Sequence, residues 1–277
     1  MSGKLMVVGT PIGNLSDFSP RAVETLRMAD FIAAEDTRVT VKLLNHFEIK
    51  KPMVSYFEHN KRDRGQMICD RIEAGETCAL VSDAGMPAIS DPGELLVAQC
   101  AERGIQVLVV PGPSAVVSAL AVSGLPTGRF TFEGFLSVNK KSRREHLAEV
   151  KNEHRTMIFY EAPHKLSSTL CDMLAAWGDR RIALVRELTK IHEEVIRTTL
   201  ADAAVRYAGG GAKGEFVLVI EGAPVPEQEE YTLEDAIAMA MDLVRSGCSS
   251  SDAAKQAAAE TGIKKGDIYK AILSKEL

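Results

Sequence analysis

Between Ser82 and Gly93 the chain reads S-D-A-G-M-P-A-I-S-D-P-G, and this stretch limits the fold more than any other. It holds two glycines, two prolines and two aspartates, so it is neither helix nor strand throughout. The apolar run Cys78-Ala79-Leu80-Val81 leads into it, and Glu94 to Arg103 leaves it with helical spacing. A strand, a long kinked loop and a helix in that order place the loop where open α/β sheets bind ligands. Connections of this kind usually take about two to six residues, so a loop of this length points to a binding role.

The same unit recurs. Leu5 to Val8 reads as a buried strand followed by G-T-P-I-G-N-L-S-D from Gly9 to Asp17, and Val107 to Val110 runs into Pro111-Gly112-Pro113-Ser114. Ser114 is placed to cap a helix over Ala115 to Ser123, and Ser19-Pro20 to open another that runs to about Ala29. In a parallel sheet the loops at Gly9, Ser82 and Pro111 share one edge. The first is not a dinucleotide fingerprint: its spacing is G-x-x-x-G, and Pro11 removes a backbone donor. Glu35-Asp36-Thr37-Arg38 follows a second apolar segment and reads either as a site or as a solvated helix start. Asp91-Pro92-Gly93-Glu94 has the form of a capping box, which leaves Asp83 to Met86 as the ligand-facing part of the central loop.

Gly124 to Gly128 breaks the pattern and divides the α/β region into residues 1–123 and 129–223. The second part offers strands at Phe130 to Phe135, Met157 to Tyr160, Ile182 to Val185 and Phe216 to Ile220. Glu161-Ala162-Pro163-His164-Lys165 and Arg186-Glu187-Leu188-Thr189-Lys190 fall at strand ends, so both are site candidates. Pro224 to Glu230 reads as a linker, and residues 229–277 as a helical tail resembling a helix-turn-helix. The chain is thus expected to be α/β, with two unlike α/β/α domains and a small helical module.

With 277 residues, a net charge of −5 and 45% hydrophobic content, the composition is that of a globular protein without a cationic coat. Five scattered cysteines form no C-x-x-C pair, and His164 and His192 have no partner at metal spacing, so no metal is expected. No apolar run reaches the ~18 residues of a membrane span and none resembles a signal peptide; a cytoplasmic protein is expected. Basic residues cluster at Glu58-His59-Asn60-Lys61-Arg62-Asp63-Arg64 and at Lys140-Lys141-Ser142-Arg143-Arg144, in types suited to phosphate. From Cys248 the tail carries five Lys or Arg against four acids, too little for strong independent DNA binding.

The motifs V-G-T-P-I-G-N-L-S-D, A-A-E-D-T-R, S-D-A-G-M-P-A-I-S-D-P-G and V-P-G-P-S-A resemble the tetrapyrrole-methylase-like (class III) superfamily of S-adenosylmethionine methyltransferases. F-Y-E-A-P-H-K, R-E-L-T-K and G-E-F-V-L-V-I-E-G extend the resemblance to the branch that methylates the ribose 2′-hydroxyl of a cytidine in the decoding region of 16S rRNA. The first loop has Thr10-Pro11 and the central loop Ser82-Asp83-Ala84, where tetrapyrrole-modifying members carry G-x-G-x-G-x and G-D-P; this favours RNA over a porphyrin-like substrate. A small-molecule methyltransferase is the alternative, and a DNA-binding protein with a ligand-sensing domain a third reading.

The resemblance implies a homodimer, a partner in 16S rRNA or the small ribosomal subunit, and S-adenosylmethionine in a cleft between the two α/β domains. It implies cofactor contacts from Thr10, Pro11, Asp83, Gly85, Met86, Ser114 and Ala115, and across the cleft from Tyr160, Glu161, Leu184, Glu215 and Phe216. A ribose hydroxyl is a weak nucleophile and calls for a proton acceptor. Glu35, Asp36, Glu161, Glu187 and Lys190 all sit at strand ends, with Glu187 and Glu35 taken forward as catalytic candidates. His59, Arg62, Arg64, Lys140, Lys141, Arg143, Arg144 and Lys165 are the candidates for holding RNA.

Overall fold

The computed structural model describes residues 3–225 and 231–275, whose contacts group into two compact units, Met1–Ala223 and Pro224–Leu277. In the first unit β1 (Lys4–Val8), α1 (Pro20–Met28), β2 (Phe31–Ala34), α2 (Thr37–His46), β3 (Met53–Ser55), α3 (Lys61–Glu73), β4 (Thr77–Val81), α4 (Gly93–Glu102) and β5 (Gln106–Val110) build a parallel sheet in the order β3-β2-β4-β1-β5. Its central strands are buried on both faces, as continuous apolar runs such as F-I-A-A require. Leu26 and Leu44 of α1 and α2 cover one face, while Ile68, Ile72 and Leu96 of α3 and α4 cover the other.

Next come α5 (Ala115–Ser123), β6 (Phe130–Phe135), α6 (Lys140–Glu149), β7 (Thr156–Glu161), α7 (Leu166–Trp177), β8 (Arg181–Arg186), β9 (Glu194–Thr199), α8 (Leu200–Tyr207) and β10 (Phe216–Ile220). The second sheet is mixed, in the order β6-β7-β10-β8-β9, with β10 antiparallel to both of its neighbours. Leu147, Leu170 and Leu200 of α6, α7 and α8 cover one face. The other face packs on α5 through Val116, Ala119 and Leu120, so the helix that precedes Gly124 is seated on the second sheet.

Ser19 caps α1, accepting from the Ala22 N–H at 3.1 Å, with Pro20 in the first turn as its sequence requires. Two elements exceed the sequence reading. The basic run at Lys140 is the first turn of a helix, and β9 is an edge strand whose E-V-I-R-T-T shows no apolar run.

In the second unit α9 (Leu233–Arg245), α10 (Ser250–Thr261) and α11 (Lys265–Lys275) enclose a small core of Ala236, Ala240, Ala253, Ala257, Ile268 and Ile272. Thr232 and Asp235 form a reciprocal capping box at the start of α9, and Gly262 ends α10 in the left-handed conformation. Of the expected linker, residues 226–230 lie outside the described residues. No helix among the described residues is long and apolar enough to cross a membrane.

Candidate functional site

All strands of the first sheet run parallel, so the loops that follow them meet at one edge. There the glycines act by close approach. A Cβ on Gly112 would lie 2.8 Å from the Cα of Gly9, so the loops after β1 and β5 touch backbone to backbone. The Thr10 N–H donates to the Gly85 carbonyl at 2.9 Å, and Gly85 returns a bond to Thr10 at 3.1 Å with φ +87°. The Thr10 hydroxyl donates to the Ser82 carbonyl at 3.2 Å. Ala88 and Ser90 hold positive φ without being glycine, a conformation that costs about 1–3 kcal/mol each unless the surroundings impose it. Asp91 imposes it: its Oδ1 accepts from the N–H groups of Ala88 at 2.7 Å and Gly93 at 2.8 Å. This replaces the expected capping box, since α4 begins at Gly93.

The second sheet presents a matching edge. Phe216, the first residue of β10, pairs with Glu161 at the end of β7 and with Arg186 at the end of β8. Between the two edges lies a cleft of about 590 Å³. Its first wall is Ile12, Glu35, the loop from Ser82 to Met86, and Ile89 to Asp91, closed by Ser114 and Ala115 at the start of α5. Its second wall is Phe135, the turn from Tyr160 to His164, Val185, Leu188 and Glu215 to Val217. The Ser114 hydroxyl makes no capping bond to its own helix.

On its first wall the cleft carries three carboxyl groups: Glu35, Asp83 and Asp91. Burial raises the pKa of each, and for Glu35 the charges of Asp83, Asp91 and Asp36 raise it further against the Asp83 N–H. A partly desolvated group of acids of this kind favours a cationic ligand. Apolar side chains of Ile12, Ile89, Leu188 and Val217, with the rings of Phe135 and Tyr160, supply flat contact surface. Burial also raises the pKa of Tyr160. Glu161 is buried and accepts from the Thr169 hydroxyl at 2.6 Å and the Ala162 N–H at 2.8 Å.

Of the residues expected from sequence, Asp83, Gly85, Met86, Ser114, Ala115, Tyr160, Glu161, Glu215, Phe216 and Glu35 come together around the cleft. Three do not. Thr10 and Pro11 line a smaller neighbouring cavity, and Leu184 is fully buried in the core beneath α6, α7 and α8. Successive strand residues face opposite ways, so Val185 takes the place chosen for Leu184.

Glu187 is a structural brace. Its Oε1 accepts from the Glu215 N–H at 2.9 Å and from Lys190 Nζ at 2.9 Å, and these bonds, in that order, hold its carboxyl below the usual range. Lys190 also reaches Glu215 at 2.8 Å, and its stem lies where a Cβ on Gly13 would be, 2.5 Å away. Asp36 caps α2 and binds Arg38, which holds its carboxyl at about 2. The helix-start reading therefore holds for Asp36 and Arg38, while Glu35 turns to the cleft.

Among the basic candidates, His59, Arg62 and Arg64 are exposed on the turn after β3 and the start of α3, at the loop edge of the first sheet. Lys140, Lys141 and Arg144 are exposed on α6, and Lys165 is half-buried before α7. Arg143 differs: it is 9% exposed, with Nε donating to Asp172 at 2.7 Å, and it ties α6 to α7. Its guanidinium is committed to the core.

The sequence reading also missed Ile12, Ile89, Phe135, Val185, Leu188 and Val217. Strand pairing could have signalled Val217, which sits opposite Tyr160, and Val185, which sits opposite Val217, whereas the loop residues carry no local mark.

A mixed and a parallel sheet facing each other across such a cleft define a class: the family described as Tetrapyrrole (Corrin/Porphyrin) Methylases matches residues 4–204. The fold is shared with a crystal structure of uroporphyrin-III C-methyltransferase from Thermus thermophilus complexed with S-adenosyl homocysteine. That match has a TM-score of 0.55 at 17% identity and covers 78% of this chain and 97% of that one. Ribosomal RNA small subunit methyltransferase I of Synechocystis sp. is 46% identical over 99% of each chain, and that of Halalkalibacterium halodurans is 48% identical over 96% of this chain and 93% of its own. The chain belongs to the tetrapyrrole methylase family, among its members named ribosomal RNA small subunit methyltransferase I.

Proposed function

We propose that this chain transfers a methyl group from S-adenosylmethionine to the ribose 2′-hydroxyl of a cytidine in the decoding region of 16S rRNA. The observation that carries the reading is the cleft itself, an apolar slot whose first wall carries three partly buried carboxyl groups. S-adenosylmethionine supplies an electrophilic methyl on a sulfonium and carries an ammonium, so its cationic parts suit Glu35, Asp83 and Asp91 and its adenine suits the apolar wall. The relative crystallised with S-adenosyl homocysteine and the names of the near full-length relatives support the same reading.

Asp83, Gly85 and Met86 would hold the donor from one side, with Ser114 and Ala115, and Tyr160, Glu161, Glu215 and Phe216 from the other. The transfer forms an oxygen–carbon bond as the carbon–sulfur bond breaks with its electron pair left on sulfur, and the hydroxyl proton passes to Glu35. A carboxyl raised by burial is the better acceptor, which favours Glu35 over the braced and acidified Glu187. His59, Arg62, Arg64, Lys140, Lys141, Arg144 and Lys165 would hold phosphates. The domain division at residues 124–128, a homodimer and a cytoplasmic location belong to this proposal.

Incubation of labelled cofactor with small ribosomal subunits from cells lacking the protein tests it, followed by mapping of 2′-O-methyl groups. One new methyl on a decoding-region cytidine is expected. Label appearing only in an added tetrapyrrole would overturn the reading.

A further inference from the structure

A second cavity, of about 290 Å³, opens beside the large cleft, and Ser82 and Asp83 line both. Its walls come from the first loop and from α2: Pro11 and Leu15 on one side, Val39 and Leu43 on the other. Leu15 and Val39 are 43% and 39% exposed, unusual for apolar side chains that flank a recess. Thr40, on the same helix, lines the cavity and is only 3% exposed. A threonine hydroxyl both donates and accepts, so on this wall it can bond the polar edge of a ligand. Lys42 adds an exposed ammonium with no ion pair among the described residues.

We infer that this cavity receives the acceptor nucleoside, its base between the Pro11–Leu15 and Val39–Leu43 walls, its polar edge on Thr40, and an adjoining phosphate on Lys42. The inference rests on the proposed function and adds the acceptor's position to it. The chemistry matches part by part. A base offers two apolar faces and a hydrogen-bonding edge, and single-stranded RNA is read by splaying bases out of their stack into such slots. The volume suits one small ligand, at the bottom of the ~300–1,000 Å³ usual for ligand sites. Asp83 forms the border between the two cavities, and its N–H lies 3.5 Å from the Glu35 carboxylate. A ribose attached to a base in the small cavity therefore reaches the border at Asp83, beside Glu35, the residue proposed to take its proton.

The test uses the full chain with small ribosomal subunits lacking the modification and labelled S-adenosylmethionine. Val39→Trp fills the cavity and Thr40→Val removes the hydroxyl at nearly constant shape, while calorimetric cofactor affinity reports whether the large cleft is intact. Val39→Trp should raise KM for subunits or lower kcat about tenfold or more, with cofactor affinity within twofold of the parent. Thr40→Val should lower kcat/KM about tenfold, the loss of one hydrogen bond to a buried group. Lys42→Ala should reduce the salt slope of subunit binding by about one ion. If Val39→Trp loses cofactor binding, Thr40→Val decides. Unchanged kinetics in a cofactor-binding Val39→Trp and in Thr40→Val would overturn the inference, as would a Val39→Trp effect confined to the sedimentation of the protein. Failure of the parent to methylate any subunit ribose would overturn the proposed function instead.

Discussion

The contact between Gly9 and Gly112 gives the sharpest link between sequence and cleft. In Gly112→Ala the new Cβ would lie 2.8 Å from the Cα and carbonyl carbon of Gly9 and 2.9 Å from its oxygen, all backbone atoms of another loop. Relief needs the two loops to part by roughly 0.6 Å or more to reach an ordinary ~3.4–4 Å contact, and overpacking of this kind costs about 1–3 kcal/mol. In a chain of this size that lowers the melting temperature by roughly 2–4 °C per kcal/mol, or about 5 °C. Parting the loops also moves Ser114 from Asp83, so cofactor affinity should fall about tenfold. Gly104→Ala is the control: its φ is +67° but nothing lies within 4 Å of a Cβ there. It should cost about 1 kcal/mol by backbone strain alone and leave cofactor affinity unchanged. Scanning calorimetry and titration calorimetry on the two variants read both effects. A Gly112→Ala protein with parental melting temperature and cofactor affinity would refute the close-approach reasoning.

Glu35→Gln should bind cofactor but turn over about 10²–10⁴-fold more slowly; in the parent, single-turnover rates should rise with pH through the raised Glu35 pKa, a limb the variant lacks. Glu187→Gln should cost about 1–2 kcal/mol at neutral pH by weakening two charge-assisted bonds. Because the folded pKa of Glu187 is lowered, that stability is present above the ordinary carboxylate range and is lost as pH falls through the lowered value, so denaturant midpoints of parent and variant should converge on acidification. Arg143→Ala should destabilise by about 2 kcal/mol, below the ~3–5 kcal/mol for a fully buried pair since Asp172 is 30% exposed, as read by urea unfolding. Replacing Lys140, Lys141 and Arg144 together with Ala should instead leave stability within about 0.5 kcal/mol and reduce the salt slope of subunit binding by about two.

The sequence was legible wherever an apolar run ended in glycine or proline. Leu5 to Val8, which runs into Gly9, and Val107 to Val110, which runs into Pro111, are strands, and the loops after them converge as a parallel sheet demands. It was not legible where the deciding partner lies far along the chain. The Thr10 hydroxyl is spent on Ser82, 72 residues away, and Arg143 on Asp172, 29 away. Nothing near either residue marks it as structural. Leu184 was chosen over Val185 because β8 is covered on both faces, so R-I-A-L-V-R has no alternation to tell core from cleft. For β9 the reverse holds, since an edge strand buries little and its polar residues hide it.

The two walls of the cleft are held by different physics. Within the first wall the loops after β1 and β5 meet backbone on backbone at Gly9 and Gly112, the Thr10–Gly85 pair adds two main-chain bonds, and the Met86 sulfur accepts from the Gly112 N–H at 3.3 Å. Between the walls, Lys190 lies across Gly13 and ends on Glu187 and Glu215, a long side chain whose stem has several rotatable bonds. The three atoms nearest a Cβ on Gly13 all belong to that stem, whereas those nearest one on Gly112 are main chain. The cleft-facing carboxyls of Asp83 and Asp91 therefore sit on a stiffer frame than the facing wall, and the proposed in-line transfer calls for such alignment. Positional precision belongs to the loop from Ser82 to Asp91, where the bonds that Asp91 accepts from Ala88 and Gly93 hold the positive φ of Ala88 and Ser90 in place.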